Sequence, residues 1–144
     1  MLEEEGMLAA IIDTNIFASG LLKGVTTRPI INAFKDDQFK LLISNEIEEE
    51  LFEVLSRPKF NDYIDKKTIA ELACLIRHKA KIVKPKVSVK ECRDSKDNII
   101  LECALEGKPD FIVTNDEDLL VIRIFRGVKI ISAIDFLKVL YQEF

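Results

Sequence analysis

The feature that most constrains this sequence is a short apolar run that ends on polar residues. Leu8 to Ile12 carries no charge and is followed directly by Asp13, Thr14 and Asn15. The run is too short for a helix and does not alternate, which predicts a strand buried on both faces, as in a parallel sheet. Asp13 then lies at the carboxyl end of that strand, where open α/β sheets bind ligands. Taken alone, however, the segment Asp13-Thr14-Asn15 is better explained as the cap of the following helix.

Similar apolar runs recur along the chain, and each is followed by a helical pattern. The predicted strands cover residues 8–12, 39–43, 82–83, 111–113 and 128–131. Strands that alternate with helices form parallel sheets through crossover connections. We therefore predict an α/β fold, a three-layer α/β/α sandwich with a central four- or five-stranded parallel sheet. Residues 1–6 are predicted to be an N-terminal tail, residues 7–144 a single domain, and residues 59–63 a loop within it.

The composition excludes several classes of protein. With 48% hydrophobic and 32% charged residues, the chain is typical of a globular domain, and no apolar run is long enough for a membrane span. Three cysteines without a close pair and a single histidine indicate no zinc site or disulfide framework and argue against a His-assisted nucleophile. The cysteines fit buried positions in a reducing compartment, which favours a cytoplasmic protein.

The net charge bears on the partner. The formal charge of -4 argues mildly against nucleic acid, which usually selects a basic surface. That argument weakens if the acids are concentrated in a metal site, because bound cations reverse the local field. Whether the negative charge argues against a nucleic-acid partner therefore depends on where the acids lie.

Acidic residues occupy matching places in the predicted fold. Asp13 follows the first strand, and Asp116 and Asp118 follow the fourth. Because the carboxyl ends of parallel strands meet at one edge of a sheet, these acids must share that edge. Asp94 and Asp97 stand at the start of a helix, three residues apart and so on neighbouring positions of one face.

The helix after the second strand adds a run of glutamates. Its apolar face places Glu49 opposite the core, in solvent. Glu48 and Glu50 flank that face, where a carboxylate can border the core, and spacing does not choose between them. At most one or two members of this run can be functional.

A cluster of carboxylates at one edge of the sheet suggests a metal site. Carboxylates at one site repel each other, and burial raises their pKa values. An all-oxygen set suits hard cations, Mg²⁺ or Mn²⁺, and two such ions can clamp a phosphoryl displacement. The alternative is that each acid merely favours a helix start. That alternative does not explain Asp13 and the shared edge.

Four segments carry the acids and the apolar residues around them: Ile11–Asn15, Ser44–Leu55, Asp94–Asn98 and Ile112–Leu120. In this order they resemble the successive motifs of PIN-domain nucleases. The similarity covers nearly the whole chain, from Leu8 to Leu140, and is greatest to the VapC-like toxin components of toxin–antitoxin pairs.

The resemblance implies a metal-dependent ribonuclease and assigns its site residue by residue. The acids that it implies as catalytic are Asp13, Glu50, Asp97 and Asp116. The implied metal ligands are Asp13, Asp97, Asp116 and Asp118. The supporting residues are Thr14, Asn15, Asp94, Thr114 and Asn115. With Asp13 as the central ligand, we expect Thr14 and Asn15 to cap the helix that follows.

The predicted function is a Mg²⁺- or Mn²⁺-dependent endoribonuclease that leaves a 5′-phosphate and a 3′-hydroxyl. The resemblance also implies an RNA substrate, a homodimer and an antitoxin partner. One alternative is a PIN-fold module that binds RNA with little or no turnover. Another is a receiver or haloacid-dehalogenase-type phosphatase, which also ends its first strand on an acid. That phosphatase pattern requires a second acid where this chain has Asn15.

Overall fold

The computed structural model describes residues 6–22 and 27–142, so the predicted tail lies outside the described residues except for Gly6. The strands are β1 (Ala9–Ile12), β2 (Lys40–Ser44), β3 (Lys81–Val83), β4 (Phe111–Val113), β5 (Ile124–Phe125) and β6 (Val128–Ile131). The helices are α1 (Thr14–Leu21), α2 (Arg28–Lys35), α3 (Asn45–Leu55), α4 (Pro58–Asn61), α5 (Lys66–Lys79), α6 (Ser95–Gly107), α7 (Glu117–Leu120) and α8 (Ala133–Gln142). Within the described ranges, none of these helices is long and apolar enough to cross a membrane.

The strands form one sheet in the order β3-β2-β1-β4-β6-β5. The first five in this order pair in parallel, and β5 pairs antiparallel with β6. The α/β fold predicted from the alternating pattern is therefore confirmed, with every predicted strand present. The chain runs outward from β1 through β2 to β3 and then returns to the other side of β1 as β4. In such sheets, the point where the strand order reverses opens a crevice for ligands.

The core explains why the apolar runs form strands. Ala10, Ile11, Ile112 and Val113 are fully buried, as expected for central parallel strands. A chain of aromatic rings joins α1, α2 and α8 to the sheet: Phe17 packs on Phe34, Phe34 on Phe39, and Phe39 on Phe136. The rings of Phe39 and Phe136 meet edge to face at 5.1 Å. This packing fixes α1 at the end of β1.

Helix α6 packs against β1, β2 and β3 and depends on a glycine for its close approach. A Cβ added to Gly107 would lie 3.0 Å from Val83 Cγ2 and 3.1 Å from Leu42 Cδ1. Such contacts are tighter than side chains normally make, so the end of α6 lies on the sheet because this residue has no side chain. The start of α6, which carries Asp97, is positioned by that packing.

Two short elements differ from the sequence prediction. Residues 59–63 are not simply a loop, because the helix α4 begins at Pro58, a residue suited to the first turn of a helix. The strand β5 is not among the predicted strands; it pairs with β6 through a two-residue turn at Arg126 and Gly127, both with positive φ. Positive φ at both central residues is typical of a type I′ hairpin, in which Arg is an unusual first residue.

Candidate active site

Asp13 is held at the end of β1 by three hydrogen bonds. Its backbone N–H donates to the carbonyl of Val113 at 2.9 Å. Its Oδ1 accepts the N–H of Asn15 at 3.3 Å, and its Oδ2 accepts the hydroxyl of Thr114 at 2.7 Å. Asp13 is therefore itself the cap of α1, and the prediction that Thr14 and Asn15 take over this role is wrong. An acid that ends the strand is also the nearest side chain to the first free N–H groups of α1.

The carboxyl group of Asp13 is largely withdrawn from water. Only 7% of the residue is exposed, and burial raises the pKa of this carboxyl. The bonds from Thr114 and Asn15 partly oppose that rise, because they stabilise the charged form. The nearby charge of Asp116 adds to it. Asp13 is thus a buried acid whose charge needs further stabilisation.

The residues after β4 form a second group at the same edge. The fully buried hydroxyl of Thr114 accepts the N–H of Asp116 at 3.0 Å, and Asp116 Oδ1 accepts the N–H of Asp118 at 2.9 Å. Asp116 is thereby the cap of α7. Asn115 Oδ1 accepts the N–H of Ala133 at 3.1 Å and so anchors the start of α8.

Asp97, in the first turn of α6, faces this group. Asp97, Asp116 and Asp118 each offer a carboxylate oxygen within 4.8 Å of the others. Asp97 is 5% exposed, and its Oδ2 has no hydrogen-bond partner among the described residues. Burial and the neighbouring charge of Asp116 raise its pKa to about 7. Asp94 stands at the helix start, where its Oδ1 accepts the N–H of Lys96 at 3.0 Å, so it acts as a cap.

These observations fit a divalent cation. A buried carboxylate oxygen without a partner is costly, and a cation is the partner that would remove both this cost and the repulsion. The donors are all oxygens, which suits Mg²⁺ or Mn²⁺. Asp13 is not in the group of Asp97, Asp116 and Asp118, but it lines the same cavity as Asp116. Asp118 is half-exposed and pairs with Arg93 at 3.3 Å.

The structure distinguishes between the two glutamates, Glu48 and Glu50, that flank the buried face of α3. Thr14, the residue after Asp13, donates its hydroxyl to Glu50 Oε2 at 3.1 Å. Glu48 instead lines a groove with Ala73 and Arg77, on the α5 side of α3. The structure therefore brings Glu50, but not Glu48, next to the neighbour of Asp13. Glu50 remains outside the group of three acids that could share one ion.

A cavity of about 360 Å³ opens over Asp13 and Asp116, at the reversal of the strand order. It is lined by Asp13, Asn15, Ile16, Ser19, Thr27, Asn115 and Asp116. Three of these, Ile16, Ser19 and Thr27, are not among the predicted site residues. The hydroxyls of Ser19 and Thr27 lie 3.1 Å apart. Ser19 follows Asn15 by four residues, so both lie on one face of α1, a signal that the sequence does contain. The position of Thr27 depends on the packing of α2 and carries no such signal.

The chain belongs to the PIN domain family: the family model matches residues 9–118. That range begins in β1, ends at Asp118 and includes each of the predicted site residues. A relative, the uncharacterized protein MJ1680 of Methanocaldococcus jannaschii, is 28% identical over 123 residues, which are 83% of this chain and 78% of that protein. PIN domains are in general nucleases, so the family makes phosphodiester hydrolysis the class of activity to consider first.

Solved structures share the fold. PAE2754 from Pyrobaculum aerophilum matches with a TM-score of 0.63 and 14% identity, over 94% of this chain and 90% of that one. VapBC2 from Rickettsia felis, solved bound to a DNA fragment from its promoter, matches with a TM-score of 0.55 and 13% identity, over 87% of this chain and 98% of that one. At these identities the likeness concerns the fold, and it supports the PIN architecture recognised from the sequence motifs.

Proposed function

We propose that this protein is a Mg²⁺- or Mn²⁺-dependent endoribonuclease whose site is built on Asp13, Glu50, Asp97 and Asp116. Asp97, Asp116 and Asp118 would hold an ion, with Asp13 as a further ligand facing the same cavity. The observation that carries the proposal is the buried Asp97 Oδ2 without a partner, set against two further carboxylates. RNA as the polymer rests on the resemblance to VapC-like toxins.

The residues of the chain have distinct tasks in this proposal. Thr114 and the N–H of Asn15 fix both oxygens of Asp13, so this carboxylate needs no reorganisation when substrate arrives. The hydroxyl of Thr14 holds the carboxylate of Glu50 beside the residue that follows Asp13. With a pKa of about 7, the carboxyl of Asp97 is partly protonated near neutral pH in the metal-free protein, and a bound cation would favour the charged form. A bound divalent ion would supply Lewis-acid activation of water and neutralise charge on the phosphate.

The test is cleavage of a labelled single-stranded RNA by the purified protein in Mn²⁺ and in Mg²⁺. We expect products with 5′-phosphate and 3′-hydroxyl ends, and no cleavage in EDTA. Asp13→Asn should lower the rate by about 100-fold or more, because it removes a proposed metal ligand. The variant should stay folded, because the amide oxygen can keep the bond from the N–H of Asn15 while the amide NH2 donates to the hydroxyl of Thr114 instead of accepting from it. Thermal unfolding verifies this.

Two outcomes would contradict the proposal. Cleavage that persists in EDTA and in Asp13→Asn would exclude carboxylate-bound metal as its source. Tight RNA binding in Mn²⁺ without any cleavage would instead favour a binding module of the same fold. Asp36→Asn, which changes an exposed acid at the end of α2, serves as the matched control and should retain full activity.

We further propose that this protein is the toxin of a type II toxin–antitoxin pair, that it forms a homodimer, and that it acts in the cytoplasm. Support comes from the VapC-like motifs and from a fold neighbour that was solved as the VapBC2 complex. The test is whether a small open reading frame next to this gene encodes a protein that co-purifies with the chain. Expression of the chain alone should arrest growth, and co-expression of that neighbour should restore it. A chain that purifies as a free monomer and leaves growth unchanged would overturn this part of the proposal.

A further inference from the structure

A second cavity adjoins the one over the acids. It measures about 460 Å³ and is lined by Asn15, Ser19, Leu22, Lys59 and Phe60. Asn15 and Ser19 also line the first cavity, so the two cavities lie side by side along α1. We call this pair of cavities the α1 cleft. Each of its halves falls in the size range of small-ligand sites.

The far end of the α1 cleft carries a cation and an aromatic ring side by side. Lys59 Nζ lies over the ring of Phe60, 5.5 Å from its centroid. Lys59 is exposed, and within the described ranges no carboxylate pairs with its ammonium group. Phe60 is half-buried and packs against the core. The core therefore holds the ring in place while the cleft leaves part of it accessible.

This pairing matches the chemistry of a single nucleotide. Proteins bind single strands through cations that contact the backbone and aromatic rings on which bases stack. The acids at the near end repel a polyanion, so a cation at the far end is well placed to retain one. Hydroxyl and amide groups of Ser19 and Asn15 lie between the two ends, and such groups commonly bond phosphate and sugar oxygens.

We propose that Lys59 and Phe60 form a subsite for one nucleotide of a single-stranded RNA, next to the scissile phosphate. The exposed side chain of Lys59 moves off the ring face to contact the phosphate, and the base then stacks on Phe60. The inference rests on the proposed nuclease function for the position of the scissile bond, but the binding that it describes does not require cleavage. These residues then set where the strand lies relative to the acids.

The experiment measures binding of a short, unstructured, fluorescein-labelled RNA by anisotropy in Ca²⁺, with a gel of the same samples to verify that the RNA stays intact. Phe60→Leu keeps the apolar packing and removes the ring face; its matched control is Phe52→Leu, a half-buried phenylalanine in a different groove. Lys59→Gln removes the charge; its matched control is Lys138→Gln, an exposed lysine on α8. Thermal unfolding of all four verifies that they fold.

We expect Phe60→Leu to weaken binding by about 5- to 100-fold, the usual cost of losing one stacked base. Lys59→Gln should weaken it several-fold and lower the slope of log Kd against log salt by about 0.7, one phosphate contact on a single strand. An abasic substitution at one position of the RNA should weaken binding to the wild type but not to Phe60→Leu. Both control variants should bind like the wild type.

Three results would overturn the inference: no binding by the wild type, equal binding by Phe60→Leu and Phe52→Leu, or an abasic effect that survives in Phe60→Leu. The outcomes separate the two proposals. If the wild type does not cleave RNA but the effect of the abasic position depends on Phe60, the subsite is supported and the nuclease function is contradicted. If the wild type cleaves RNA and the variants at Lys59 and Phe60 match their controls, the nuclease function stands and the subsite falls.

Discussion

The hydroxyl of Thr114 donates to Asp13 Oδ2 at 2.7 Å, across the ends of the two central strands β4 and β1. The oxygen of the same hydroxyl accepts the N–H of Asp116 at 3.0 Å. One fully buried hydroxyl therefore fixes the side chain of one proposed ligand and the backbone of another. The register Ile12↔Val113 makes this possible, because it puts Asp13 and Thr114 side by side where the strands end.

Thr114→Val tests that link, because valine has the same shape without the hydroxyl. We expect cleavage to fall by about 10- to 100-fold, the usual effect of removing a group that orients a metal ligand. The free energy of unfolding should fall by about 1–3 kcal/mol, since Asp13 loses a bond at a buried site. Steady-state cleavage in Mn²⁺ and urea denaturation measure the two effects.

Thr114→Ser is the control, because it keeps the hydroxyl and loses only a methyl group. It should recover most of the cleavage, while its stability falls slightly. If Thr114→Val and Thr114→Ser lose activity equally, the cause is packing at the strand end and the orienting role is wrong.

Asp97→Asn is expected to stabilise the metal-free protein near pH 8. The pKa of Asp97 rises from 3.8 to about 7 on folding, so between these values the folded state binds more protons than the unfolded state. The contribution of this group to the free energy of unfolding therefore falls as pH rises from about 4 to 7. Asparagine has no proton to lose, and we expect a gain of about 1–2 kcal/mol from urea denaturation in EDTA.

The dependence of the free energy of unfolding on pH tests whether the titration of Asp97 causes the gain in stability. Below about pH 4, wild type and Asp97→Asn should differ least, because there the carboxyl of Asp97 becomes protonated in the unfolded state as well as in the folded state. Asp13, whose pKa is also raised, stays in the variant and keeps part of the slope. Mn²⁺ should stabilise the wild type at high pH more than it stabilises Asp97→Asn. Parallel pH profiles for the two proteins would refute the assignment.

Arg93→Gln should raise the affinity for Mn²⁺ in the absence of RNA. The guanidinium of Arg93 pairs with Asp118 at 3.3 Å, so it competes with a cation for that carboxylate. Both side chains are at least half-exposed, and we expect a change of only a few-fold in Kd and of about 0.5 kcal/mol or less in stability. Calorimetric titration measures the Kd for Mn²⁺. Arg126→Gln, which breaks a similar exposed pair with Glu91, should leave the Mn²⁺ affinity unchanged.

The elements with a clear local pattern of apolar residues are the ones that could be predicted from the sequence. Parallel strands such as β1 and β4 are short, uniformly apolar runs, and their common edge follows from topology alone. This topology is enough to place Asp13 and Asp116 at one edge of the sheet. Sequence reasoning fails where one residue has two tasks. Asp13 both caps α1 and faces the cavity, whereas the prediction of Asp13 as the central metal ligand passed the cap to Thr14 and Asn15.

Contacts between distant elements escape sequence-based prediction for a physical reason. The helix α4 has only four residues, too few for a period, and its approach to α1 depends on tertiary packing. Lys59 and Phe60 thus reach the cleft without any local signal. The choice between Glu48 and Glu50 is similar, because both flank the buried face of α3 and only the position of Thr14 separates them.

That choice gives the last prediction. Glu50→Gln should lower cleavage by about 10- to 100-fold, because Glu50 is the glutamate that Thr14 bonds beside Asp13. Glu48→Gln changes a residue of the same type on the same helix that lines the groove with Arg77, and it should alter cleavage by less than about twofold. Neither change should move the unfolding midpoint much, since both side chains are partly exposed. Cleavage rates at saturating Mn²⁺ show which glutamate belongs to the site. A loss of activity in Glu48→Gln, with a fully active Glu50→Gln, would contradict the prediction and assign the site glutamate to the α5 side of α3.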